Sequence, residues 1–168
     1  RPGTPSTSDL LDAPDRIVRE LARRLPGIRI PATAAVLDAL IPAVLEQKVT
    51  GREAWLGWRR LLMRFGDPAP GPVPADMRVF PEPSRWAMVP SWEWHRAGVG
   101  PDRSRTIVRA ARLASRLEAV VDLAADEADR RLCAVPGIGA WTAAEIRQRA
   151  LGDPDAVSLG DYHLPRLV

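Results

Sequence analysis

The chain has 168 residues, enough for one ordinary domain or two small lobes with a sizeable core, and 46% hydrophobic with 27% charged residues marks it as globular rather than disordered. Its net charge is +3 and its pI about 9.9, which suits a nucleic-acid partner without requiring one. The lone Cys133 excludes an internal disulfide and any four-cysteine iron–sulfur or zinc site, and His95 and His163 are too few for a histidine-based metal centre.

The elements read as follows in chain order. Residues 1–9, Pro/Ser/Thr-rich, are expected to form a disordered lead-in to a domain over 10–168. Ile17, Val18, Leu21 and Leu25 recur at helical spacing and predict a helix over 14–25, ended by Pro26 and Gly27. A second helix covers 34–47. Pro42 is awkward inside it, and a main helix starting near Asp38 would place Pro42 by the first turn, where N–H groups lack partners anyway. Thr50-Gly51-Arg52-Glu53 is a capping-box pattern and opens a third helix over 52–65. Its Trp55, Trp58, Leu61, Leu62 and Phe65 are expected in the core.

The Pro- and Gly-rich stretch 66–79 reads as a surface loop. Short helices follow near 84–88 and 91–97, and Trp86, Trp92 and Trp94 are expected in the core. A long helix over 101–120 carries Arg103, Arg105, Arg109, Arg112 and Arg116 on a solvated face, and another helix spans 124–133. No strand and no internal repeat is evident, so the fold class is all-α. No apolar run is long enough to span a membrane and no signal-peptide pattern opens the chain, so a reducing cytoplasm is expected. The chain opens on Arg1 and closes on Val168 within a helical pattern, which suggests a fragment shortened at both ends.

The segment 132–164 concentrates the chemistry. A tight turn, Val135-Pro136-Gly137-Ile138-Gly139, joins two helices over 132–150. Its glycines permit backbone geometries that side chains resist, and they leave bare N–H groups at a helix start, which favours an anion. The bland reading is a structural αα turn; the functional one is backbone N–H donation to a phosphate from Gly137, Gly139 and Thr142. Asp161 lies 20 residues after Trp141. It reads as a helix N-cap, as a catalytic carboxylate, or as both.

These residues resemble the helix-hairpin-helix DNA glycosylases, and within them the bacterial inducible 3-methyladenine type. Pro136-Gly137-Ile138-Gly139-Ala140-Trp141-Thr142-Ala143 matches that type's hairpin motif, and Asp161 with Tyr162 matches its catalytic aspartate and the tyrosine after it without a gap. Residues 45–50 resemble its Leu-Gly-Gln-x-Val-Ser segment, Phe80-Pro81-Glu82-Pro83 its Phe-Pro-x-Pro, and residues 98–105 its Gly-x-x-x-x-Arg turn. The resemblance covers residues 25–168.

It implies a two-lobed helical fold with the active-site cleft between the lobes. It implies a monofunctional, base-flipping glycosylase of base-excision repair, with Asp161 stabilising the cationic sugar. Trp141 and Tyr162 match pocket positions; Glu145 stands where the relative has an aromatic, and either faces the base or solvent. Gln47, implied to bind DNA, matches the family's glutamine; Lys48, the next residue, matches the DNA plug and is the only lysine. It is either that plug or a surface lysine. Trp141 occupies the position where bifunctional members carry a Schiff-base lysine. No cofactor is required, and no iron–sulfur cluster is expected. A bridging Na+ or K+ on the carbonyls of Cys133, Val135 and Gly137 is implied by the resemblance alone. The implied partner is damaged double-stranded DNA, with no membrane, a monomeric state and a bacterial cytoplasmic location on the nucleoid. Two other classes stay open: a non-catalytic module that binds damaged or abasic DNA, and a helical protein-interaction domain.

Overall fold

A computed structural model describes residues 10–27, 29–162 and 164. The lead-in 1–9 and His163 lie outside the described residues. The described helices are α1 (Arg16–Arg24), α2 (Val36–Leu45), α3 (Gly51–Phe65), α4 (Pro83–Ala87), α5 (Ser91–Ala97), α6 (Pro101–Arg112), α7 (Ala114–Glu118), α8 (Ala125–Cys133) and α9 (Ala140–Ile146). A 3-10 turn, Ala119–Asp122, follows α7, and a π-helical turn, Arg147–Leu151, extends α9. Among the described residues β-pairing is confined to one isolated bridge, Pro68 with Arg78. The fold is all-α, as the sequence predicts, and no described helix is long and apolar enough to cross a membrane.

The centre of the molecule is α2. Val36, Leu37, Ala39, Leu40, Ile41, Ala43, Val44 and Leu45 are all buried, so this helix is apolar nearly all round. Helices α6 and α9 pack against it, and α7 closes over its start. Pro42 lies in the interior of α2, because the helix begins at Val36 rather than near Asp38. It offers no N–H to the Asp38 carbonyl. Tertiary burial on both flanks outweighs that lost bond.

The N-terminus of α2 is capped from elsewhere in the chain. The two carboxylate oxygens of Glu118 accept the Val36 and Leu37 N–H groups, each at 2.8 Å. This accounts for a break the sequence does not announce. The helix expected over 101–120 stops at Arg112, and Leu113 donates its N–H to Ala110 in a tightened last turn. The chain then restarts as α7, which buries Leu117 and brings Glu118 to the α2 terminus.

Helix α3 begins with the predicted capping box: Thr50 Oγ1 accepts from Glu53 N–H, and the Glu53 carboxylate accepts from Thr50 N–H. Its buried residues are Ala54, Gly57 and Leu61. A Cβ on Gly57 would stand 3.3 Å from Val99 Cγ2, so α3 meets the α5 end closely on its small side chains. The large ones are displaced to the flanks. Trp58 packs partly buried against the core in a cluster with Phe80, Trp86 and Trp94 (centroids 5.6–6.2 Å apart). Trp55 is not core: it is 55% exposed, with the Arg59 guanidinium 5.7 Å from its ring. Trp92 is also exposed, because the short α5 turns Glu93, Trp94 and Ala97 inward instead.

Candidate active site

The hairpin between α8 and α9 is built on two buried apolar anchors, Val135 and Ile138. Ile138 N–H donates to the Val135 carbonyl (2.9 Å), closing the turn around Pro136 and Gly137. Gly137 has φ 99°, and a Cβ there would fall 1.9 Å from Thr106 Oγ1. Helix α6 therefore leans on the turn where only glycine fits. Gly139 differs. Its backbone is extended, and a Cβ would meet no atom within 4 Å. The protein's own packing does not require glycine at 139. The first N–H groups of α9 lack partners a turn back within the helix and are directed from this end.

Two side chains tie the hairpin to the rest of the molecule. Arg109 Nη1 donates to the Pro136 carbonyl (2.9 Å), so this arginine, predicted as solvated, also fixes the turn. Arg103 likewise reaches backbone, donating to the Leu45 carbonyl at the end of α2 (2.7 Å). Gln47 Nε2 donates to the Gly137 carbonyl and to Thr142 Oγ1, both at 2.9 Å. The segment after α2 and the hairpin are thus one unit. Lys48, the next residue, is exposed and held at φ 55°, an uncommon conformation for a side chain with a Cβ. Gln47→Ala removes both donors. We expect a loss of up to about 2 kcal/mol of stability, which thermal melting checks.

Asp161 and Trp141 meet directly. Trp141 Nε1 donates to Asp161 Oδ2 (3.1 Å), and Leu164 N–H donates to Asp161 Oδ1 (3.0 Å). The second bond runs from a residue three positions on, the spacing of an N-cap contact. The first was not legible: the sequence offered Trp141 only as a pocket wall, and the signal for the contact is the 20-residue separation. Both groups are half-buried, and Tyr162 is 68% exposed beside them. One carboxylate is therefore held by an indole N–H and a backbone N–H, next to aromatic surface.

Glu145 sits one turn beyond Trp141 on α9. Its carboxylate accepts from Ser158 Oγ and pairs with Arg149 (2.8 Å). Arg149 also lies 3.8 Å from Glu46, whose carboxyl is pushed above its ordinary value by burial first, with the Glu145 charge adding and Arg149 opposing. Nearby, Arg147 pairs with Asp129 (3.0 Å) and Asp153, tying the π-helical turn to α8. The Cys133 thiol is pushed up by partial burial first and the Asp129 carboxylate second.

Of the carbonyls expected to face a cation, that of Val135 already accepts Ile138 N–H and that of Gly137 accepts Gln47 Nε2. Each retains a second lone pair. No cluster of three His, Cys, Asp or Glu suited to a metal occurs among the described residues.

This all-helical arrangement is the fold of solved DNA glycosylases. The chain resembles the inducible 3-methyladenine type of DNA glycosylase. It is 34% identical over 152 residues to a probable bifunctional transcriptional activator/DNA repair enzyme AlkA of Mycobacterium tuberculosis; the match covers 89% of this chain and 30% of that protein. Among solved structures it superposes on a 3-methyladenine DNA glycosylase from Archaeoglobus fulgidus with TM-score 0.74 and 23% identity, covering 90% of this chain and 52% of that one. It superposes on the Clostridium acetobutylicum 8-oxoguanine glycosylase/lyase, bound to duplex DNA, with TM-score 0.77 and 14% identity, covering 95% and 55%. The chain thus spans about a third of the curated relatives' length and about half of these structures. No family model matches it.

Proposed function

We propose that this chain forms the core of a monofunctional DNA glycosylase that removes alkylated purines of the 3-methyladenine kind from duplex DNA, with Asp161 as the catalytic residue. The observation that carries the reading is the Trp141–Asp161 hydrogen bond, which joins the residue after the hairpin turn to the spaced carboxylate. The relative's role as a DNA repair enzyme and the Archaeoglobus neighbour's as a 3-methyladenine DNA glycosylase support the substrate class.

The geometry suits the chemistry. Gly137, Gly139 and Thr142 offer backbone N–H groups to one phosphate and position the duplex without reading its sequence. The damaged nucleotide is extruded, and its base stacks on Trp141 and Tyr162, with Glu145 one turn away along α9. Lys48 enters the gap that the base leaves, while Gln47 stays bonded to the hairpin. A purine alkylated on a ring nitrogen is already cationic, so it departs with the bonding electron pair as a neutral base. The positive charge passes to the sugar. Asp161, kept in place by Trp141 and Leu164, faces that charge and orients the water that adds to the anomeric carbon. The water's proton leaves through the carboxylate to solvent. Na+ or K+ on the carbonyls of Cys133, Val135 and Gly137 would add electrostatic attraction for the phosphate. No step of the chemistry needs a metal or an organic cofactor. The protein acts as a monomer on the nucleoid in the cytoplasm.

Trp141 in place of a Schiff-base lysine supports simple hydrolysis. Borohydride is expected to trap no covalent DNA adduct; a trapped adduct would overturn the monofunctional assignment. Lys48→Ala is expected to lower duplex affinity and to reduce the slope of log affinity against log salt by about 1, as loss of one phosphate contact requires. An unchanged salt slope would place Lys48 away from the DNA.

A further inference from the structure

The segment leading to Asp161 folds against the ordinary preference of its residues. Ser158 is buried, whereas its neighbours Val157 and Leu159 are 58% and 69% exposed. Burying a hydroxyl while exposing two aliphatic side chains is unfavourable unless a specific polar contact directs it. That contact comes from α9. Ser158 Oγ donates to Glu145, and Gln148 Nε2 donates to Ser158 Oγ (3.3 Å) and to the Ala156 carbonyl. The Ser158 carbonyl in turn accepts the Asp161 N–H (3.1 Å), across a turn that Gly160 makes at φ 85°. The negative charge on Glu145 is balanced by Arg149.

Asp161 is therefore held at two points from one helix. Trp141 grips its carboxylate. Glu145, one helical turn on and on the same face, grips through Ser158 the backbone from which that carboxylate departs. We propose that Glu145 is a positioning residue, acting through Ser158 to set the Asp161 carboxylate against the sugar. This role rests on the reading of Asp161 as catalytic. It also accounts for a carboxylate where the related type carries an aromatic: the position serves the aspartate rather than the base.

The test compares wild type with Glu145→Ala, Glu145→Gln, Ser158→Ala and Asp161→Asn, using single-turnover release of base from methylated duplex DNA and affinity for abasic duplex. Misplacing a reacting group by about 1 Å costs up to about a hundredfold in rate. Glu145→Ala and Ser158→Ala should slow release roughly tenfold to a hundredfold, with abasic-DNA affinity within about twofold of wild type. Glu145→Gln keeps an acceptor oxygen for Ser158 and should recover most of the rate. Placed in the Asp161→Asn background, Glu145→Ala should cost nothing further. Thermal melting confirms that each variant is folded. A wild-type rate for Ser158→Ala would overturn the proposal, as would a Glu145→Gln as slow as Glu145→Ala. Wild-type protein that releases no base would overturn the reading of Asp161 and this proposal with it, which separates the two failures.

Discussion

Asp161→Asn is expected to slow release of alkylated purines by about a thousandfold, the loss typical of removing a group aimed at developing charge. The asparagine keeps the shape but not the charge. It also supplies one acceptor oxygen where the aspartate uses two, one for Trp141 Nε1 and one for Leu164 N–H. One of those bonds must fail, at a cost of about 1–3 kcal/mol. Both losses act together, so the measurement pairs single-turnover rates with thermal melting. A variant that stays folded, binds abasic duplex and releases base a thousand times more slowly isolates the charge. A folded variant with near wild-type rate would remove Asp161 from the mechanism.

Gly137→Ala is the substitution with the largest expected effect on stability. It would place a side chain at φ 99° and its Cβ 1.9 Å from Thr106 Oγ1. Left-handed strain and overpacking each cost about 1–3 kcal/mol. Together about 3 kcal/mol is expected, which lowers Tm by about 6–12 °C in a chain of this size. Thr106→Ala introduced alongside removes the hydroxyl from the clash, so the double variant should lose less than the two single losses combined. Gly139→Ala is the contrasting case. Its Cβ meets nothing within 4 Å in the protein, so stability should fall by less than about 1 kcal/mol. Its effect should appear in duplex affinity, because the added methyl stands where backbone and phosphate would meet. Equal loss of stability at the two positions would contradict this division of labour.

The sequence was most informative where a pattern is local. The capping box at Thr50 and Glu53, the helices on either side of the hairpin and the glycine-rich turn itself follow from residues three or four apart. It was least informative where distant elements meet. Glu118 reads as one charge in a long helix, yet it caps α2 from 82 residues away and so decides where that long helix breaks. Trp55 obeys helical spacing but lies on the flank, because the closest helix contact falls on Gly57. Pro42 sits in mid-helix, because burial of α2 outweighs one absent hydrogen bond. The candidate site shows the same division. Gly137, Trp141 and Asp161 were picked out by motif and spacing. Their linkage by Gln47, Arg109 and Ser158 runs through side-chain hydrogen bonds that no periodicity records.

The central claim is that this fold cleaves an N-glycosidic bond rather than only gripping DNA. The most direct measurement incubates the protein with duplex DNA methylated on its purines, and follows free base by chromatography and strand integrity by gel. The reading predicts free methylated purine, an abasic site and an unbroken strand, all dependent on Asp161. Tight binding to abasic duplex with no base released would contradict it, and would leave the chain a DNA-binding module.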